Sequence, residues 1–297
     1  MGTLNVQIAA QPIIWSNDDF HDLGGETSLE TCLGEMREAG YAGTELGHKF
    51  PKDATVLKSI LSKFGLQLVS GWHSSYLAEA PLPQERESFR QHLSFLKQMG
   101  SPVVIVAECT RRNYNDPYNN LSWSHSVDFF SKDEWERIFA GMDEFAQMAE
   151  DQGMSLVYHH HMGTGIQNLG QIDRLMSGTR KLQLLGDTGH LAFAGEDPLA
   201  VFKTYMSRIR HVHLKNVRPQ VVDQARKEKW SFERAVFQGV FTVPGDAGID
   251  YRPIFELLRA SDYKGWLVVE AEQDPKKANP FQYATMARNY LRQELGV

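Results

Sequence analysis

Short apolar runs that favour strands alternate with longer stretches of helical periodicity along the whole chain. The runs "NVQIAA", "YAGTEL", "LQLVSGW", "PVVIVAE", "SLVYHH", "LQLLGD", "IRHVHL" and "GWLVVEAE" read as eight strands. Between them lie segments with the i, i+3, i+4 pattern of amphipathic helices. These include "SLETCLGEMREAG", "DATVLKSILSKFG", "PQERESFRQHLSFLKQMG" and "KDEWERIFAGMDEFAQMAEDQG", each closed by the glycine that commonly ends a helix. "SLET" and "SKDE" read as capping signals at two helix starts.

Eight strands each followed by a helix predict an α/β fold, a (β/α)8 TIM barrel forming one domain over residues 1–297. A doubly wound open sheet would usually place a glycine-rich turn after its first strand, and "QIAAQPIIWS" contains no glycine. Two connections, 108–131 and 216–250, are long enough to act as lids over a site.

Composition narrows the functional classes. A net charge of -6, with basic runs no longer than "TRRN" and "QARKEKW", argues against a nucleic-acid partner. No stretch approaches the roughly 20 apolar residues of a membrane span, and the N-terminus lacks a signal-peptide pattern. Cys32 and Cys109 form no CxxC motif, which points to a reducing, cytoplasmic setting. The sequence leaves a homo-oligomer open.

Polar residues recur where the apolar runs end, which in a barrel is the active face. Glu45, His73 and Glu108 end the second, third and fourth strands. The triplet His159–His160–His161 ends the fifth and Asp187 the sixth, followed by His211, His213 and Lys215, then Glu270 and Glu272. Alternation along a strand turns His159 and His161 to the barrel axis and His160 to the helices. It likewise gathers His211, His213 and Lys215 on the inner face, and Glu270 with Glu272. Singly, each residue has an ordinary structural reading. Together, buried imidazoles and carboxylates at one mouth point to a divalent cation, of a kind (Mn, Co, Fe or Zn) that accepts mixed nitrogen and oxygen ligands.

The D-T-x-H turn at Asp187 and His190, the H-x-H at His211 and His213, and Glu270 after an apolar run resemble the xylose-isomerase-like TIM-barrel superfamily. Across the chain, "WSNDD", "GTELG", "YHHHMGTG", "DTGHLAFAG", "HVHLKNV", "FTVPGDAGIDY" and "WLVVEAEQDP" resemble its inosose dehydratase family. Asn216 and Ala247 stand where that family's pattern has Asp and Gly. The resemblance implies a metal held by Asp187, His213 and Glu270, with His159 in a strand-five position that relatives usually fill with Glu. Glu272 and Glu108 are the alternative sources of that fourth ligand.

The implied reaction is loss of water from 2-keto-myo-inositol, a cyclic polyol ketone, to give a trihydroxycyclohexane-1,2-dione in inositol catabolism. Mn or Co ranks ahead of Zn or Fe as the cofactor, and a role for glutathione is left open. Lys215, His161, His190 and Glu272 are the acid–base candidates. Lys215, with a pKa depressed among cations, is expected to be the base, and His161 the acid for the leaving hydroxyl. Gln11, Trp15, Asn17 and Asp18 at the first strand's end, with Glu45, His73 and Glu108, are expected to bind the polyol. Trp72 is expected to face away from the site, and the loop "RRNYNDPYNNLSW" to close over the ring.

Three other readings compete. A keto-sugar isomerase or epimerase would keep the metal but commonly uses two carboxylates about the substrate, against the strand-five histidine. An endonuclease IV-like enzyme needs more strand-three and strand-four histidines and a basic face. A non-catalytic sugar-binding protein has no need of the cation cluster.

Overall fold

A computed structural model describes residues 4–118, 129–246 and 248–297. Eleven strands and eleven α-helices follow one another among them, with a short 3-10 turn at Pro12–Ile14. The first half runs β1 (Val6–Ala10), α1 (Leu29–Ala39), β2 (Gly43–Glu45), α2 (Ala54–Phe64), β3 (Gln67–Ser70), β4 (Trp72–Ser75), α3 (Leu82–Met99), β5 (Val103–Glu108) and α4 (Lys132–Asp151). It continues through β6 (Ser155–His159), α5 (Leu169–Gly178), β7 (Gln183–Asp187), α6 (Thr188–Ala194), α7 (Pro198–Tyr205), β8 (Ile209–Leu214) and β9 (Asn216–Val217). The last part holds α8 (Pro219–Glu228), α9 (Phe232–Phe237), β10 (Phe241–Thr242), α10 (Arg252–Ala260), β11 (Gly265–Val269) and α11 (Pro280–Leu295). Ser28 caps α1 by accepting the Thr31 N–H, and Ser131 with Glu134 forms the capping box that starts α4.

Nine parallel strands hydrogen-bond in the order β3-β2-β1-β11-β8-β7-β6-β5-β4. The two ends of that order, β3 and β4, are consecutive pieces of one run joined at Gly71, so the chain itself closes the ring. This is the expected (β/α)8 barrel, with its third strand divided. A small antiparallel ladder of β9 and β10 is the only other sheet among the described residues. None of the described helices is long and apolar enough to cross a membrane.

Two apolar layers hold the barrel. The larger lies between strands and helices, where Phe89, Phe145, Phe202 and Leu258 are buried. The smaller fills the interior below the mouth, with Ala9, Val69, Trp266 and Val268 on one side and Val103, Ile105, Val157 and Leu185 on the other. That plug is the floor of the site above it.

The divided strand overturns one expectation. The β2–β3 register slips between Thr44 and Glu45, so that Leu68 and Ser70 pair with consecutive residues and Val69 is extra. Such a bulge reverses which side chains face inward beyond it. Trp72 therefore turns to the axis, 5.4 Å from His159 between ring centroids, and His73 turns out to the helices. His73 is packed against Phe89 at 5.3 Å, His92 at 5.6 Å and Phe145 at 6.3 Å. The connection 216–250 also differs from an open lid, since α8, α9 and the β9–β10 ladder give it structure of its own.

His73 has a buried Nε2 with no partner, and burial together with His92 holds its imidazole down to about 3. It is neutral when folded but takes up a proton when unfolded below roughly pH 6.5, so its contribution falls as pH drops through that range. Replacing it by leucine removes this penalty. Urea denaturation at pH 7 and pH 5 should show the parent losing about 2 kcal/mol more stability than His73→Leu over that interval.

Candidate metal centre and cavity

The barrel mouth opens into a cavity of about 650 Å³, within the range of roughly 300–1,000 Å³ usual for small-molecule sites. His159, His161, His213, Glu270 and Glu272 line one side, and Gln11, Asp18, Asp19, Trp72, Arg112 and Tyr114 line the other parts of the wall.

Four donor groups from successive strands meet at its base. His159 Nε2 stands 3.4 Å from Asp187 Oδ2, and His213 Nδ1 lies 3.6 Å from the same oxygen. Glu270 Oε2 approaches His213 Nδ1 to 2.5 Å. Asp187 Oδ2, His213 Nδ1 and Glu270 Oε2 are buried, and none has a partner in hydrogen-bond geometry. Three orphaned donors gathered beside an imidazole fit a divalent cation, which would satisfy all of them together. His159, Asp187, His190 and Glu270 also bring ligand atoms within 4.8 Å of one another. His190 is otherwise engaged: its Nε2 accepts from Lys215 Nζ at 2.9 Å, and its Nδ1 lies 3.3 Å from the Met162 nitrogen.

Neighbouring groups orient the donors. Asp187 Oδ1 caps α6 by accepting the His190 N–H at 2.8 Å, which leaves Oδ2 facing inward. His160, just past the end of β6, accepts the Asp187 N–H at 3.4 Å and so ties that end to β7. Glu45 Oε1 meets His213 Nε2 at 3.1 Å and His211 Nε2 at 2.7 Å, and accepts the Ser70 hydroxyl at 2.5 Å. Burial alone would raise the Glu45 carboxyl, but the two histidines hold it well below the carboxylate range. Burial likewise opposes a charged His213, yet Glu45 and Glu270 hold its imidazole well above the ordinary value. Glu45 thus aims His213 from the cavity wall that it also lines.

Lys215 is fully buried among anions. Its Nζ lies 2.6 Å from Glu270 Oε1, 2.9 Å from Glu272 Oε2 and 3.7 Å from Asp187 Oδ2. Burial works against the charge, but Glu270, Glu272 and Asp187 outweigh it and raise the amine above its usual value. The expectation of a depressed lysine base is overturned: its neighbours are carboxylates, not cations. The close approach is built in at Gly189, where a Cβ would come within 2.4 Å of Lys215 Cγ. His161 changes role as well. Its Nδ1 donates to the Met162 carbonyl at 2.7 Å, and burial holds the ring well below its ordinary pKa. The cavity-facing Nε2 of the neutral ring is then an acceptor, suited to taking a proton rather than giving one.

Burial raises Glu272 to about 7 against the pull of Lys215, whereas Lys215 and His213 overcome burial to hold Glu270 at about 2. His190 lies behind the wall, covered by Phe232 at 6.0 Å and Phe241 at 5.2 Å between centroids.

Several expected substrate contacts lie off the cavity. Trp15 is buried on the helix side, with its Nε1 donating to Glu35 at 2.6 Å. Asn17 caps its own turn, accepting the N–H groups of Asp19 and Phe20, both at 2.8 Å. Glu108 faces the helices, where Ser75 and Leu77 donate to Oε2 and Thr110 donates to Oε1. His73 is excluded by the bulge described above. Gln11 and Asp18 do line the cavity.

The sequence reading missed Trp72, Asp19, Arg112 and Tyr114. Asp19 stood in the motif "WSNDD", and Arg112 and Tyr114 in the aromatic loop, of which 119–123 lies outside the described residues. Ala247 also lies outside them. Asn216 Oδ1 accepts the N–H groups of Val217 and Ile249, both at 2.8 Å, as part of the scaffold.

If Glu45 sets the aim of His213, Glu45→Gln should weaken divalent-ion binding about 10- to 100-fold while the fold is retained. Competition against a chromogenic chelator reads this directly, and an unchanged affinity would remove Glu45 from the centre.

Comparison with known proteins places these features in context. Residues 33–294 match the family model of the xylose isomerase-like TIM barrel. An inosose dehydratase of Geobacillus thermodenitrificans is 47% identical over 294 residues, covering 98% of each chain. One of Clostridium beijerinckii is 44% identical over 298 residues, covering 100% of this chain and 99% of its own. Among solved structures, a sugar phosphate isomerase/epimerase of Parabacteroides distasonis superimposes with a TM-score of 0.68. It is 16% identical and covers 96% of this chain and 93% of its own, a likeness of fold.

Proposed function

The chain belongs to the inosose dehydratases of the xylose isomerase-like TIM-barrel family, and we propose that it removes water from 2-keto-myo-inositol in inositol catabolism. The product is a trihydroxycyclohexane-1,2-dione and the reaction class is that of a hydro-lyase. The observation that carries the reading is the meeting of three orphaned donors and an imidazole beside a separate acid–base group, His161 with Glu272, on one cavity wall.

In this reading His159, Asp187, His213 and Glu270 hold a divalent ion, with Mn or Co favoured over Zn or Fe. When bound, the ion supplies Lewis-acid polarisation of the substrate carbonyl and the adjacent hydroxyl. His161 Nε2 takes the proton from the carbon next to the carbonyl. Glu272, 3.9 Å from His161 and raised by burial to about 7, gives the proton of its acid form to the departing hydroxyl, and Lys215 Nζ, 2.9 Å away, stabilises the carboxylate left behind. Lys215 and His190 position Glu272 from behind the wall. An epimerase on the same barrel fits less well, because His159 stands where a second carboxylate would act. The buried, unpaired thiols of Cys32 and Cys109 support a reducing, cytoplasmic setting.

Metal-loaded protein incubated with 2-keto-myo-inositol should generate the ultraviolet absorbance of the dione, with and without glutathione to read any thiol requirement. No product with Mn or Co would defeat the reading. Within it, the two acid–base roles separate by isotope exchange. Glu272→Gln should lower turnover about 10²- to 10⁴-fold but still exchange the substrate's α-hydrogen in D2O, whereas His161→Gln should lose both. Equal exchange in both variants would reverse or abolish the assignment.

A further inference from the structure

We propose that Asp19 is a substrate-contact residue, its carboxylate accepting hydrogen bonds from the ring hydroxyl that lies opposite the carbonyl. The inference rests on the dehydratase reading and extends it to the turn after β1.

The turn after β1 commits its other side chains elsewhere. Trp15 donates to Glu35, Asn17 accepts two backbone N–H groups, and Asp18 Oδ1 receives both the N–H of His48 at 3.0 Å and its Nδ1 at 2.6 Å. Phe20 is buried against Phe232 and Phe237, at 6.4 and 5.8 Å between centroids. With both neighbours fixed, the position of Asp19 is fixed as well. Its side chain is exposed within the cavity and forms no hydrogen bond or ion pair with any described residue. A carboxylate held at a cavity wall without a protein partner is an acceptor reserved for something that enters.

Placement says what that something presents. The four proposed metal donors come from β6, β7, β8 and the segment after β11, whereas Asp19 follows β1. A six-membered ring whose carbonyl end sits at the donors passes Trp72 and Tyr114, 5.4 Å from His159 and 5.0 Å from His161 between centroids, and turns its opposite carbon toward the rest of the wall, where Asp19 and Arg112 stand. Trp72 and Tyr114 offer flat apolar faces to the ring, leaving Asp19 and Arg112 as the charged groups for its hydroxyls. A hydroxyl donating to a carboxylate makes a charge-assisted bond, stronger and more directional than one to a neutral acceptor.

The test pairs a residue change with a substrate change in the metal-loaded enzyme. Wild type should prefer 2-keto-myo-inositol over the analogue lacking the hydroxyl opposite the carbonyl by about 10- to 100-fold in kcat/KM. Asp19→Ala should lose a similar factor on the full substrate, mostly in KM, and should no longer distinguish the two compounds. Asp19→Asn, which keeps the shape and one acceptor, should fall between. Metal affinity should be the same in all three proteins, and calorimetry with unreactive myo-inositol should show the same ranking of binding. Full kcat/KM in Asp19→Ala, or undiminished discrimination between the two compounds, overturns the assignment while the dehydratase reading stands. A wild-type protein that neither binds nor converts the ring ketone overturns that reading and this inference together.

Discussion

Charge compensation in a dry place governs this molecule. Asp187, Glu270 and Glu272 are buried around one fully enclosed ammonium, that of Lys215, and Glu45 is buried between His211 and His213. An isolated ion at such depth would be strongly disfavoured, so each group is tolerated only with its counter-ion in place. Around Lys215 the count leaves more negative than positive groups, and the surplus is carried by the unpartnered Asp187 Oδ2 and Glu270 Oε2, with Glu270 on the cavity wall. The same imbalance that makes the barrel mouth costly to fold makes it receptive to a cation.

Dryness behind the site comes from a part of the chain that reads as loop. The segment between β8 and β11 folds back with Phe232 against His190 and Phe241 over the Lys215 ammonium, 4.8 Å from its ring centroid. These rings keep water from Lys215 and His190, so that Lys215 stays a fixed cation and His190 a neutral link to it. On the cavity side Trp72, Tyr114 and Arg112 line the wall. The proposed acid–base groups therefore sit at a boundary, with rigid apolar packing behind and room for a ring in front.

Much of this could be read from residue order because two periodicities coincide. Barrel topology puts chemistry at strand ends, and strict alternation sorts those ends into inner and outer faces. That reasoning located His159, His161, His213, Lys215, Glu270 and Glu272 on the inner face, where polar and apolar residues alternate clearly. It failed on β5, whose apolar residues carry no inside–outside contrast, so Glu108 gave no sign that it faces the helices. It failed at the third strand because a bulge has no residue signature of its own. It failed for Lys215 because a pKa depends on which charges fold nearby, and the three carboxylates come from β7 and from the segment after β11. Asp19 was hidden in a polar run whose members differ only in whether the turn uses them.

The bulge at Val69 has a consequence for how this wall of the barrel can change over generations. Substituting residues on β4 alters what the cavity meets one side chain at a time. Removing the extra residue opposite Thr44–Glu45 would instead exchange the two faces of the strand at once, bringing the imidazole of His73 in and carrying the indole of Trp72 out. A single in-frame codon deletion is therefore a larger step in ligand preference here than any point mutation. Descendants of such a barrel can diverge in what they bind through a change in strand length, with the residues of the strand itself left as they were.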